Sequence, residues 1–107
     1  MERPESVPLA ASEWEDEAPG VRARVAWADG RRWALVEYAP GAERSEWCAD
    51  GHRGFVLSGQ VEYVFDDGTP VLVASAGDGF VLPAGQSHRG RNSGSEPVRI
   101  FLLDDRL

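Results

Sequence analysis

Turn-forming residues interrupt this chain about every ten positions, and that punctuation limits its fold more than any other feature. Pro19-Gly20, Asp29-Gly30, Pro40-Gly41, Asp50-Gly51, Ser58-Gly59, Asp67-Gly68, Gly77-Asp78-Gly79, Pro83 with Gly85, and Asn92-Ser93-Gly94 succeed one another along 107 residues. Proline removes a backbone donor and fixes φ, and glycine reaches positive φ without steric cost, so each break ends a regular element. No long helix fits between them. The intervening pieces are short and rich in Val, Leu, Phe, Tyr and Trp, the pattern of a many-stranded sandwich or barrel.

Alternation within the pieces agrees. Val21, Ala23, Val25 and Trp27 are separated by Arg22, Arg24 and Ala26, which puts one apolar face of a strand against a core. Val61 to Phe65, then Asp66-Asp67-Gly68-Thr69, then Val71-Leu72-Val73, reads as a hairpin, because Asp-Gly tolerates the backbone of a tight turn. The acidic stretch Glu13 to Glu17 around Trp14, with Pro19-Gly20 after it, departs from the pattern and leaves room for a single irregular or helical turn without fixing its state. Trp27, Trp33, Tyr63, Phe80 and Phe101 are expected to supply the core and the dry wall of a pocket.

The length suits a single domain over residues 1–107, with a barrel across roughly 20–104 and a short N-terminal extension. So small a chain buries a limited share of its surface, which makes a second subunit an expected source of stability. Eleven basic residues against eighteen acidic ones give a net charge of −7, a field that repels phosphate backbones and anionic headgroups. Nucleic acid is therefore an unfavoured partner, and solubility is sufficient reason for the acidity. Cys48 is the sole cysteine, so no intrachain disulfide can form and a reducing, cytoplasmic setting is expected. Met1 to Ser12 lacks a cationic start with an apolar core, and no apolar run is long enough to span a bilayer, so neither a targeting nor a membrane segment is expected.

The stretch from Gly77 to Asn92 carries the most chemical information. Its residues follow the spacing G-x5-P-x-G-x2-H-x3-N through Gly77, Pro83, Gly85, His88 and Asn92. Gly77 opens a strand, Pro83 and Gly85 force a turn, and His88 begins the return strand with its imidazole free to enter a barrel mouth. At these five positions the chain resembles the second signature motif of the cupin superfamily. The resemblance directs attention to a first motif, G-x5-H-x-H-x3,4-E-x6-G after a Pro-Gly turn. Pro40-Gly41 and Gly59 frame it, and counting back from Gly59 puts His52 at the usual glutamate, Cys48 at the second histidine and Glu46 at the first.

The resemblance implies an all-β double-stranded β-helix, or jelly roll, with Glu46, Cys48, His52 and His88 converging as metal ligands inside one mouth of the barrel. All four residue types can ligate a divalent ion, and Glu46 and Cys48, two apart on a strand, would share a face. A thiolate with two imidazoles suits zinc or ferrous iron better than magnesium or calcium. Glu46 could instead act as a base and Cys48 complete the site or serve as a nucleophile beside His52 or His88. The other reading of each is structural: a lone cysteine as a small buried hydrophobe, two solvated histidines and an exposed carboxylate. Gln60, Gln86 and Asn92 lie beside turns, where amides commonly satisfy backbone. Trp47 should face away from Glu46 and Cys48, toward an inter-sheet or dimer contact.

Three functions remain open at this stage. A metal-dependent enzyme acting on a small organic molecule, as an oxygenase, isomerase or cyclase, is favoured over a non-catalytic ligand- or metal-sensing module and over a dimerisation scaffold with a relic site. Small cupins are often homodimers, and the resemblance carries that expectation here. No dinucleotide, P-loop, nucleophile-elbow, His-Glu-x-x-His or paired Cys-x-x-Cys signature occurs.

Overall fold

The computed structural model describes residues 3–105, which form nine strands after one turn of 3-10 helix at Leu9–Ala11. The strands are β1 (Glu15–Ala18), β2 (Val21–Ala28), β3 (Arg31–Tyr38), β4 (His52–Ser58), β5 (Gln60–Phe65), β6 (Leu72–Ser75), β7 (Gly79–Leu82), β8 (His88–Arg91) and β9 (Val98–Asp104). They make a six-stranded sheet ordered β1-β2-β3-β9-β4-β7 and a three-stranded sheet ordered β6-β5-β8. Every pairing is antiparallel, and the two sheets form the double-stranded β-helix that the punctuation and the signature motifs implied.

Local chemistry explains the connections. Ala28 pairs with Arg31, so Asp29-Gly30 is a two-residue loop, and φ values of 54° and 68° make it the primed turn whose twist matches the strands it joins. Gly59, at φ 78°, separates β4 from β5, and a Cβ there would come within 2.6 Å of the Pro97 carbonyl oxygen. The expected hairpin forms as β5 and β6, joined by a longer loop than the Asp-Gly signal suggested, because pairing stops at Tyr63 opposite Leu72.

Alternation then divides the residues of the large sheet. Val36, Ile100 and Val56 lie side by side on β3, β9 and β4, each no more than 1% exposed, and form the central row of the core. Tyr63, Val61 and Ala74 close it from the smaller sheet. The opposite face of the large sheet carries Trp33, Phe101 and Phe55, with Trp33 and Phe101 5.8 Å apart between ring centroids.

Two expectations need correction, and one stretch left open takes a definite state. Glu13 to Glu17 does not make a helical turn: Glu15–Ala18 is strand β1, recruited by pairing with β2, while the 3-10 turn lies earlier. Trp33 and Phe101 do not fill the core, because they alternate with buried Ala34, Ile100 and Leu102 and so face outward. Trp27 keeps its alternation with Val21 and Ala23, but it sits at the far end of β2, beyond the packed core, and is 69% exposed. Tyr63 and Phe80 are buried as expected.

Candidate metal centre

One end of the barrel brings two distant turns together. Cys48 and His88 exchange backbone hydrogen bonds, Cys48 N to His88 O at 3.0 Å and His88 N to Cys48 O at 2.9 Å, outside the regular ladders. Opposed residues of such a pair project their side chains on the same side. His52, the first residue of β4, completes the group with Nε2 3.7 Å from Cys48 Sγ. One ligand atom from each of Cys48, His52 and His88 lies within 4.8 Å of the others. Tetrahedral zinc with one sulfur at about 2.3 Å and nitrogens at about 2.0–2.1 Å would separate sulfur and nitrogen by roughly 3.6 Å. The Cys48–His52 spacing fits that value.

The hydrogen-bond partners fix which ring nitrogens are available. His88 Nδ1 lies 3.2 Å from the Gln86 carbonyl oxygen, which can only accept, so Nδ1 carries the proton and Nε2 keeps a lone pair. His52 Nδ1 lies 2.7 Å from Asp104 Oδ1 and is held in the same tautomer by the carboxylate. Asp104 is directly opposite His52 on β9, so the sheet register itself delivers this contact. An outer partner that orients a ligating imidazole is a regular companion of protein metal sites.

Burial tunes the group further. It pushes the Cys48 thiol above its ordinary range; a backbone N–H of Asp50 opposes the shift, and the charges of Asp50 and Asp104 reinforce it. Burial pushes His88 below the usual histidine range, with His52 adding to the effect, so His88 is a neutral donor at pH 7.

Glu46 does not join the group. The segment 43–48 forms bridges with β8 at Glu43 and Cys48 without continuous pairing between them, and a bend at Glu46 breaks the alternation that would have placed it beside Cys48. Its side chain is exposed. Arg44, two residues earlier, turns inward instead: its Nε donates to the Tyr38 hydroxyl at 3.0 Å and its Nη2 meets Glu17 at 2.6 Å. Trp47 is 42% exposed beneath the Arg89 guanidinium, 4.1 Å from its ring centre.

Cys48, His52 and His88 open into a cavity of about 310 Å³, walled also by Tyr38, Tyr63, Arg44 and Leu102. Gly90 is required there, since a Cβ would collide with the Tyr38 hydroxyl and reach within 3.0 Å of the Tyr63 ring. Asn92 is buried and spends its amide on the carbonyls of Tyr38 and Glu96, which makes it structural. Gln60 and Gln86 bond to Ser75 and to Asp67 and Thr69, away from the thiol. Sequence reasoning missed Asp104, Arg44 and Glu17. The acidic end Leu103-Asp104-Asp105 marks a strand terminus, but nothing in it names His52 as a partner 52 residues away.

Residues 34–104 match the family described as Cupin domain. A comparison with curated proteins found no match. Among solved structures, KdgF from Halomonas sp. superposes with a TM-score of 0.74 at 20% identity, covering 98% of this chain and 96% of that one. The polyketide cyclase RemF from Streptomyces resistomycificus gives 0.77 at 18% identity, covering 95% and 79%. A cupin 2 conserved barrel domain protein from Salinispora arenicola gives 0.69 at 19% identity, covering 97% and 88%. At these identities the likeness speaks for the fold alone.

Proposed function

The chain belongs to the cupin domain family, and from that premise we propose that it holds one divalent transition ion on Cys48, His52 and His88 and acts on a small organic molecule in the adjoining cavity. The observation that carries the proposal is the pair of imidazoles with Nδ1 committed to Asp104 and to the Gln86 carbonyl, leaving both Nε2 atoms free beside the thiol. Zinc or ferrous iron matches this soft donor set.

A bound ion would supply Lewis acidity toward an oxygen of the small molecule. The chain's own groups do the rest. Asp104 and the Gln86 carbonyl hold the rings in place, Tyr38, Tyr63 and Leu102 line the cavity wall, and Cys48 would hold the ion as a thiolate. Glu46, exposed and outside the group, has no part in this arrangement. The reading favours an enzyme over a passive binder because three donors leave a coordination position facing a cavity, whereas structural sites are closed by a fourth protein ligand.

Metal-loaded protein is to be screened against small organic acids, enols and cyclisable ketones, with His52→Ala and His88→Ala as controls. Turnover that disappears in both variants while the far-ultraviolet spectrum persists supports the enzyme. Metal-loaded protein that turns over no substrate class would contradict it and leave a ligand-binding module.

The raised Cys48 pKa has a measurable consequence. The metal-free thiol is protonated at neutral pH, so binding must displace that proton, and apparent affinity rises with pH by about tenfold per unit below the thiol pKa. His88, already neutral, adds no proton near pH 7. Calorimetry in buffers of different ionisation enthalpy should therefore give close to one proton released per zinc; a value near zero would mean that the thiol is not a ligand.

We also assign the outward face of β9, β4 and β7 to a second copy of the chain. Phe55, Leu57 and Val81 are 43%, 50% and 59% exposed there, while Trp14, stacked on Arg22 and Arg24, lies over the β2 side of the same sheet. Light scattering should return twice the 11.7 kDa chain mass, and Phe55→Arg should return the monomer. A wild-type mass of one chain at micromolar concentration would remove this assignment.

A further inference from the structure

The cavity beside the Cys48, His52 and His88 cluster contains a pair of arginines joined through one carboxylate. Arg32 Nη2 and Arg44 Nη2 both contact Glu17, at 2.7 and 2.6 Å, on its two separate oxygens. Two guanidinium groups thus share one carboxylate, which takes only part of their ten N–H donors. Of the five N–H donors of Arg44, one goes to Tyr38 and one to Glu17. Tyr38 is itself fixed in the core at 1% exposure, so the Arg44 guanidinium is held in place and its remaining donors are oriented before any ligand arrives.

The cavity's three acids, Glu17, Asp50 and Asp104, balance its three arginines in number, but of these only Glu17 is paired with Arg32 and Arg44. Asp104 is committed to His52, and Asp50 lies beside Cys48 in the chain, where its backbone N–H supports the sulfur. Arg89 adds a third cation at the rim, stacked on Trp47. Arg32, Arg44 and Arg89 therefore face one cavity of a chain whose net charge is −7, and a general excess of cations cannot explain their grouping. A planar guanidinium with spare parallel donors matches a carboxylate better than it matches a neutral carbonyl or a hydroxyl.

We infer that the cavity takes an organic monocarboxylate, with the carboxylate anchored on Arg44 and Arg32 and the remainder of the molecule extending toward Cys48, His52 and His88. This inference rests on reading the cavity as the substrate pocket, but it does not require the ion, because the arginine wall is complete in the chain itself. Glu17 sets the strength of the anchor by withdrawing donors and charge from both guanidinium groups. It is a positioning residue, and Arg44 and Arg32 are the binding ones.

The test uses benzoate and its neutral counterpart of the same shape, benzamide, titrated by nuclear magnetic resonance into metal-free and zinc-loaded full-length protein of measured zinc content. Benzoate should shift the Arg44 Nε–H signal and bind at least about tenfold tighter than benzamide in both forms, as expected for hydrogen bonds between charged groups. Arg44→Met should remove that preference. Glu17→Gln should move the other way and tighten benzoate about threefold or more while leaving benzamide unchanged, a gain that a misfolded variant could not produce. Equal affinity for the two probes, or a Glu17→Gln variant with unaltered benzoate binding, would overturn the inference. Failure of the metal reading would appear separately, as absent zinc alongside an intact preference for benzoate.

Discussion

Replacing His88 by alanine should weaken zinc binding by at least about a hundredfold, because loss of even an outer partner of a ligand typically costs 10- to 100-fold and His88 is a donor itself. The variant should still fold. The Cys48–His88 bridge that joins the two turns is made by backbone atoms and survives the change of side chain. Asp104→Ala should fall between wild type and His88→Ala, losing about 10- to 100-fold, since His52 keeps its nitrogen but loses the carboxylate that fixes its tautomer. Glu46→Gln should change affinity by less than about threefold, as expected of an exposed group outside the cluster. Competition titration against a chromophoric chelator measures all three. A His88→Ala protein that binds zinc like wild type would remove His88 from the site, and a large loss in Glu46→Gln would restore Glu46 to it.

The second large effect concerns the scaffold. Ile100→Ala should cost about 2–5 kcal/mol, the range for truncating a large aliphatic residue in a packed core. Ile100 is fully buried between Val36 on β3 and Val56 on β4, in the middle of the six-stranded sheet, and neighbours held by strand pairing on both sides have little room to collapse into the space. At roughly 4–8 °C per kcal/mol for a domain of this size, the midpoint of thermal unfolding should drop by about 8–40 °C. Well below that midpoint, zinc affinity should remain within about threefold of wild type, because the ligands sit at the barrel mouth and share no partner with Ile100. Calorimetric melting with and without zinc separates the two quantities. A loss under 1 kcal/mol would show that the central row is not where the barrel is held.

The sequence makes the frame of the barrel readable because turns are chemically local. Asp29-Gly30 needs two positive φ angles, and only such a pair supplies them cheaply, so the β2–β3 hairpin can be read without any knowledge of its surroundings. The second motif is local in the same way: Pro83 and Gly85 make the turn and His88 emerges from it at the start of β8. Its match to the cupin pattern carried His88, and the frame from Gly59 carried His52 and Cys48.

What stayed hidden depends on register and on strand ends. A continuous strand would put Glu46 beside Cys48, and a single bend at Glu46 removes it from that face while Arg44 remains turned inward. Alternation puts Trp27 on the core side of β2 but cannot say where the core stops, and it is silent on which face of β3 and β9 is the inner one. Trp33 and Phe101 were misassigned for that reason, their small neighbours Ala34 and Ile100 being the buried set. The pairing of His52 with Asp104 and the sharing of Glu17 by Arg32 and Arg44 join residues from different strands, and no local rule connects them.

The central claim, that Cys48, His52 and His88 hold one ion, is tested most directly by anomalous diffraction across the zinc and iron edges on crystals of protein purified without an affinity tag. The account predicts a single peak at about 2.3 Å from Cys48 Sγ and about 2.0–2.1 Å from one nitrogen of each imidazole. Density without a peak at that point after soaking in millimolar zinc, with the three side chains ordered, would contradict it.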